Sequence, residues 1–310
     1  MRGRAGSTRE SGGRGAGLVG EMSPSSSRSL LSGLALGGLL VFAPAARAGD
    51  EPLTAPLPDA RAFLAEVRER IHTDDFLLDQ YTFTEKQTER RLDGDGNVTK
   101  VTSSSYEVYP SAEPGHTYRK LVERDGKALP VDDLAKEDRK QQEKEARAAA
   151  RSPEVQAERR RKEAEAVEEI FRLYDIRIVG REAIEGREAI VVTFASRLGI
   201  ETATKAGKVL KKFSGRAWID EADRQLVRVE AALTDDLSFG FGILAKVKKG
   251  SRAEMQRRKV NDEVWLPAGA RFVGHARIFL VKGLNIDTLS EYSDYKKFTV
   301  ATEAAAAPQN

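Results

Sequence analysis

From Tyr81 onward the chain is written in short alternating runs, each closed by a tight-turn signal. YTFTEKQTERRLD places Tyr81 and Phe83 on one face of a strand, and DGDGN (93–97) turns it back into VTKVTSSSYEVYP. Asp125-Gly126, Glu185-Gly186, Ala222-Asp223 and Asn261-Asp262 mark four further turns between strand-like runs. Residues that accept positive φ, set between β-branched and aromatic runs, are hairpin chemistry. The pattern predicts an up-and-down antiparallel sheet reaching nearly to the C-terminus. No G-x-G-x-x-G follows a strand, and no strand–helix–strand alternation occurs, so nucleotide-binding α/β folds are disfavoured.

Two helical regions interrupt this pattern. Asp59 is placed to cap a helix running to about His72, with Phe63, Leu64, Val67 and Ile71 on one stripe. That helix is expected to pack on the sheet. Residues 131–172 hold 11 basic and 12 acidic side chains and no aromatic before Phe171. Balanced charge without aromatics predicts a helical insertion, broken near Pro153, whose charges neutralise one another on its surface. Arg159-Arg160-Arg161-Lys162 alone does not make a nucleic-acid arm. Val167, Ile170, Phe171 and Tyr174 form the stripe by which the insertion is expected to return to the body.

The start of the chain reads as a targeting segment. Arg28 precedes an apolar run, Leu30 to Ala43, that Pro44 ends before Ala46-Arg47-Ala48. This is the order of a secretory signal peptide, and a run of 14 residues falls short of the roughly 20 that span a bilayer. Cleavage near Ala48 is expected, with export to the periplasm. No cysteine stands at that site to take a lipid, so the chain is not expected to be a lipoprotein. Met22 offers an alternative start. The leader also skews the charge. The whole chain has net charge +3, but residues 1–48 hold six Arg and two Glu. The remainder carries 45 basic and 46 acidic residues, net −1, so bulk charge does not argue for nucleic acid. The expected organisation is a leader and signal peptide (1–48), one half-barrel domain (49–300) carrying the helical insertion (131–174), and a disordered tail (301–310).

Residues able to do chemistry are sparse. Absence of cysteine excludes thiol nucleophiles and cysteine metal sites. His72, His116 and His275 have no second ligand at metal spacing. Asp93-x-Asp95-x-Asn97 opens like a calcium loop, but Val98 and Ser104 stand where glycine and glutamate are needed. Asp220 and Glu221 lie beside a turn, where water is expected to keep them ordinary carboxylates. The expectation is a protein that is not an enzyme, with no cofactor and no metal. What remains is an apolar ribbon, LSFGFGILAKVKKG (237–250). Its phenylalanines alternate with glycines, which weaken a strand and mark bends or close approaches. Such a ribbon either fills a core or lines a concavity. The candidate lining residues are Phe239, Phe241, Ile243, Leu244, Trp218, Phe272 and Phe279.

The order of parts resembles a known family. A signal peptide and helix are followed by GRAWIDEADRQLVRVEA, SFGFGILAKVKKG, NDEVWLP and EYSDYKKF. This outline is similar to the exported outer-membrane lipoprotein-sorting proteins of the LolA/LolB/LppX group, and to the sensor domain of RseB. Trp218 and Asp220 match the strand-and-turn signature, Trp265 and Pro267 the later strand, and Tyr292 and Tyr295 the last. The resemblance implies a mainly β (α+β) fold, a strongly curved antiparallel sheet forming an unclosed barrel, with the N-terminal helix over its mouth. It also implies a lipid, acyl chain or lipoprotein as partner on the concave face. The alternative left open is a structural or protein-interaction module with a filled sheet, its partner an envelope protein contacted through the charged helix 131–163.

Overall fold

The computed structural model describes residues 55–110, 117–149, 152–202, 204–239, 245–278 and 283–297. The segment expected to be a leader, with its expected cleavage site, and His116, Phe241, Ile243, Leu244, Phe279 and the tail 301–310 lie outside the described residues.

Helix α1 (Ala60–Arg70) starts where expected, the Asp59 carboxylate accepting a hydrogen bond from the Ala62 amide at 2.9 Å. A short α2 (Asp74–Leu77) and a 3₁₀ turn (Leu78–Gln80) lead into the first strands. These are β1 (Tyr81–Leu92), β2 (Val98–Pro110), β3 (Thr117–Arg124) and β4 (Lys127–Ala128). Helices α3 (Val131–Ala149) and α4 (Ser152–Leu173) follow, and then β5 (Tyr174–Ile184) and β6 (Arg187–Ser196). A short α5 (Lys205–Leu210) precedes β7 (Phe213–Asp220) and β8 (Leu226–Leu233). The chain continues through β9 (Leu237–Phe239), β10 (Ala245–Val247), β11 (Arg252–Val260), β12 (Val264–Ile278) and β13 (Leu284–Lys297).

Among the described residues thirteen strands form one antiparallel sheet in the order β4-β3-β2-β1-β13-β12-β11-β8-β7-β6-β5, with the β9–β10 hairpin attached to β12. The turns are those the sequence announces. Asp125-Gly126 (φ 48° and 76°), Glu185-Gly186 (51° and 81°) and Asn261-Asp262 (53° and 55°) take the paired positive φ that lets a two-residue hairpin follow the strand twist. At 93–97 the Asp93 carboxylate accepts from the Asp95 and Asn97 amides at 2.9 and 2.8 Å, which is turn chemistry.

The meander is not simply sequential. The first strand pairs with the last over eleven registered positions, from Tyr81 with Lys297 to Leu92 with Asn285. The two edges of the sheet are therefore β4 and β5, neighbours in sequence, and α3 and α4 are the chain that connects them. The sheet is an open half-barrel, and the helical insertion joins its two edges. Attachment begins earlier than the Val167 stripe. On α3, Asp138 accepts from Lys120 Nζ at 2.7 Å. On α4, Glu163 accepts from the Thr73 amide at 2.8 Å and from the Thr73 hydroxyl. These contacts are polar, so no apolar periodicity announces them.

The core lies mainly on the face covered by α1, called the inner face below. Phe63 and Val67 of α1 pack on Ile190, Val192, Ala217 and Ile219. That cluster continues through Phe194 and Val229 into Val209, Phe213, Leu233, Leu237 and Ala253. Across the β1–β13 pairing, Leu78, Tyr81, Phe83, Val108 and Leu266 form a third cluster.

Candidate functional site

Register shows which side chains share the inner face. Ala231, Ala253, Phe272 and Thr288 stand in line across β8, β11, β12 and β13. One step along, Val229, Met255, Ala270 and Ser290 do the same. Ala253, Ala270 and Ser290 are buried, so the middle of the inner face is closed by the protein's own side chains. Beyond them the face changes in opposite ways toward its two ends.

Toward the 3₁₀ turn it becomes ionic. Glu85 accepts from Arg119 Nε at 2.7 Å and from Ser290 Oγ at 3.3 Å. The Arg119 guanidinium lies 3.9 Å from the centre of the Tyr106 ring. Arg257 is 2% exposed and donates from Nε to Asp74 at 2.8 Å and from Nη2 to the His72 carbonyl at 3.1 Å. Burial, and then the Glu85 and Asp74 charges, push the Tyr292 phenol far above its ordinary value. This cluster ties α2 to β11 and cross-braces β3, β1 and β13 within the sheet. Nothing in the hydropathy pattern signals it, because each partner is one polar residue inside a strand or turn.

Toward the other end, the α5 end, the inner face becomes apolar and less covered. Val247, Phe272, Leu284 and Ile286 are half-buried there. Val247 pairs with Ala276 and Ala276 with Leu284, while Gly274 pairs with Ile286. Gly274 is required, since a Cβ would come within 2.3 Å of Ser251 Oγ and 2.9 Å of Phe272 Cζ. The row covers about 13 Å along the strands, at ~3.4 Å per residue. At this end Phe239 pairs with Ala245, and Ala245 with Ile278. The chain then enters the connections Gly240-Phe241-Gly242-Ile243-Leu244 and Phe279-Leu280-Val281-Lys282.

The sequence-predicted lining residues are thus divided. Phe272 lies on the inner face, and Phe239 holds the register position just described. Trp218 is on the outer face, opposite Val191 and packed with Ala189, Val227 and Trp265. Its indole N–H donates to Glu182 at 2.7 Å, and the Arg216 and Arg228 guanidinium groups lie 4.8 and 4.9 Å from its ring centre. A bulge between Trp218 and Ile219 in the β7–β8 pairing places Leu226 with the inner cluster and Val227 with the outer one. Asp220 is not left to water, as the turn suggested: it is 1% exposed, held by Arg187 at 2.6 and 2.9 Å, and caps the amides of Ala222 and Asp223. The Trp218–Asp220 signature is therefore a structural staple.

Two clefts open elsewhere. One of about 320 Å³ is lined by Arg70, His72, Gln225, Lys259 and Trp265. The other, about 830 Å³, lies between α1, α4 and the loop before α5 and includes Arg68, Glu168, Phe171 and Arg197. Both are rich in charge, and neither holds a predicted lining residue. Among the described residues no group of three or more His, Asp or Glu is placed to hold a metal.

The molecule thus belongs to the class of open antiparallel half-barrels with a helix across the inner face. No family model matches the sequence, and no curated protein matches it. Solved structures are similar in outline. A LolA superfamily protein from Nitrosomonas europaea is 10% identical, with 78% of this chain and 94% of that chain covered and a TM-score of 0.30. A DUF1329 family protein from Desulfovibrio piger is 11% identical over 78% and 93% of the two chains, at a TM-score of 0.28. In the Pseudomonas aeruginosa MucA/MucB complex, the matched chain is 12% identical over 78% and 100%, at 0.23. The likeness is one of outline, and no residue role is transferred from it.

Proposed function

We propose that this chain is an exported, non-catalytic binding protein of the cell envelope that holds an acyl chain or lipid at the α5 end of its inner face. One observation carries the reading. Val247, Phe272, Leu284 and Ile286 form a half-buried apolar row on the inner face, and the sequence runs that follow β9 and β12, GFGIL and FLV, are apolar. Ligand sites are concave and mostly apolar, and a core of this size ordinarily closes over such side chains.

The test uses mature protein stripped of bound molecules by unfolding and refolding, titrated with a fluorescent fatty acid. Saturable uptake is expected. Phe272→Ala is expected to weaken it about tenfold, the equivalent of one large apolar side chain's burial. The same change should cost less than the ~3–5 kcal/mol of a fully packed phenylalanine, because Phe272 is only partly buried. Failure of the wild-type protein to take up any acyl probe overturns the reading.

The closed middle of the inner face favours a second reading, an envelope protein-interaction module. In it the charged surface of α3 and α4 at the sheet's open edges makes the contact. That reading stands if the probe does not bind.

A further inference from the structure

The α5 end of the sheet also carries a surface that the bulk charge conceals. Leu198 is 98% exposed, at the tip of the loop between β6 and α5. The loop is built to present it. The Arg197 amide donates to the Leu173 carbonyl at 2.8 Å, Gly199 supplies the positive φ (74°) that reverses the chain, and Lys211 Nζ reaches the Ile200 carbonyl at 3.4 Å.

The surroundings are basic. Residues 197–212 contain Arg197, Lys205, Lys208, Lys211 and Lys212 against Glu201 alone. The adjoining segment 235–252 adds Lys246, Lys248, Lys249 and Arg252 against Asp235 and Asp236. The two segments are joined, since Lys212 Nζ binds Asp235 at 2.9 Å and the Thr234 amide donates to the Lys212 carbonyl at 2.7 Å. Together they hold nine cations and three anions, in a chain whose portion beyond residue 48 is net −1. The nearest α4 carboxylate, Glu169, is buried and engaged with Thr204 and Arg172, and Glu168 pairs with Arg68. Arg197, Lys208 and Lys211 are exposed.

We infer that this rim docks the protein on an anionic phospholipid bilayer, with Leu198 entering the interface and the surrounding cations facing lipid headgroups. A projecting leucine flanked by exposed cations suits a membrane surface, where weak apolar insertion and headgroup attraction act together. An acidic protein would satisfy the cations and leave Leu198 without an apolar partner. The docking is distinct from the acyl-binding reading, because it concerns the outside of the rim rather than the inner face.

The experiment is co-flotation of the mature chain with phosphatidylcholine vesicles and with vesicles that are roughly one-third phosphatidylglycerol. Binding to the anionic vesicles only, weakened by added salt, is expected. Lys208→Gln and Lys249→Gln should each lower partitioning about fivefold, the effect of one cation near an anionic surface. Leu198→Asp should lower it about tenfold or more. Melting curves of the three variants should match wild type, because all three side chains lie on the exterior. Absence of wild-type binding to anionic vesicles overturns the proposal, as does binding that Leu198→Asp leaves unchanged. A protein that takes up the acyl probe but ignores vesicles keeps the earlier reading and loses this one.

Discussion

The Asp74–Arg257 pair is the most informative place to perturb the fold. It joins the first residue of α2 to the middle of β11, and side-chain exposure is 9% and 3%. Removing one partner leaves the other charge buried and alone, a change that typically costs about 3–5 kcal/mol. In a protein of this size each kcal/mol moves the melting temperature by about 2–4 °C, so Asp74→Ala should melt about 6–20 °C lower. Arg257→Met removes the opposite charge and should fall by a similar amount. The double variant, Asp74→Leu with Arg257→Met, leaves no unpaired charge and puts apolar volume in its place. It should recover most of the loss, because replacing a buried ion pair by packed apolar groups is often neutral or stabilising. The assay is urea unfolding followed by near-ultraviolet circular dichroism, and the double-mutant cycle isolates the coupling. If Asp74→Ala costs less than about 1 kcal/mol, water reaches the pair and the ionic cluster does not tie α2 down. If the double variant is as unstable as the sum of the singles, the desolvation argument is wrong.

Two further outcomes follow from local geometry. Gly215→Ala should destabilise by about 1–3 kcal/mol in urea unfolding, because its Cβ would lie 1.9 Å from the Glu230 carbonyl oxygen on β8; Gly94→Ala, with nothing within 4 Å, is the neutral control. The Asp223 carboxyl sits below the usual carboxylate range: burial opposes this, but hydrogen bonds from Lys259 and the Trp265 indole and the Arg187 charge outweigh it. A depressed carboxylate stabilises the fold above its unfolded value and loses that contribution as pH falls through the folded one. In a Trp218→Phe background, Trp265 emission should therefore hold steady from neutrality down through the ordinary aspartate range, near pH ~4, and shift only below it. A shift centred above pH ~5 would contradict the pairing.

How far each feature could be read in advance depends on how local its physics is. The hairpins at Asp125-Gly126, Glu185-Gly186 and Asn261-Asp262 were legible because positive φ at two adjacent residues is a property of those residues. The Asp59 cap and the Phe63–Val67 stripe were legible for the same reason. Trp218 was not, because β7 is buried on both faces, Ala217 and Ile219 under α1 and Trp218 against Val227 and Trp265, so alternation alone does not say which face is the inner one. The ionic cluster joins Asp74 to Arg257 and Glu85 to Arg119, residues with no shared periodicity. The exposed Leu198 could be read only as one more apolar residue in R-L-G-I-E until its loop was placed beside α5.

Taken alone, the sequence determined an antiparallel, turn-punctuated sheet, a helix to cover it and a charged helical interruption, because periodicity, capping and turn preference act over a few residues. Tertiary structure decided that β1 lies beside β13, that β4 and β5 are left as the open edges, and that the basic segments meet Leu198 at one rim. Those are pairings between residues tens to hundreds of positions apart, chosen by which faces can be buried together, and local preference is indifferent to them.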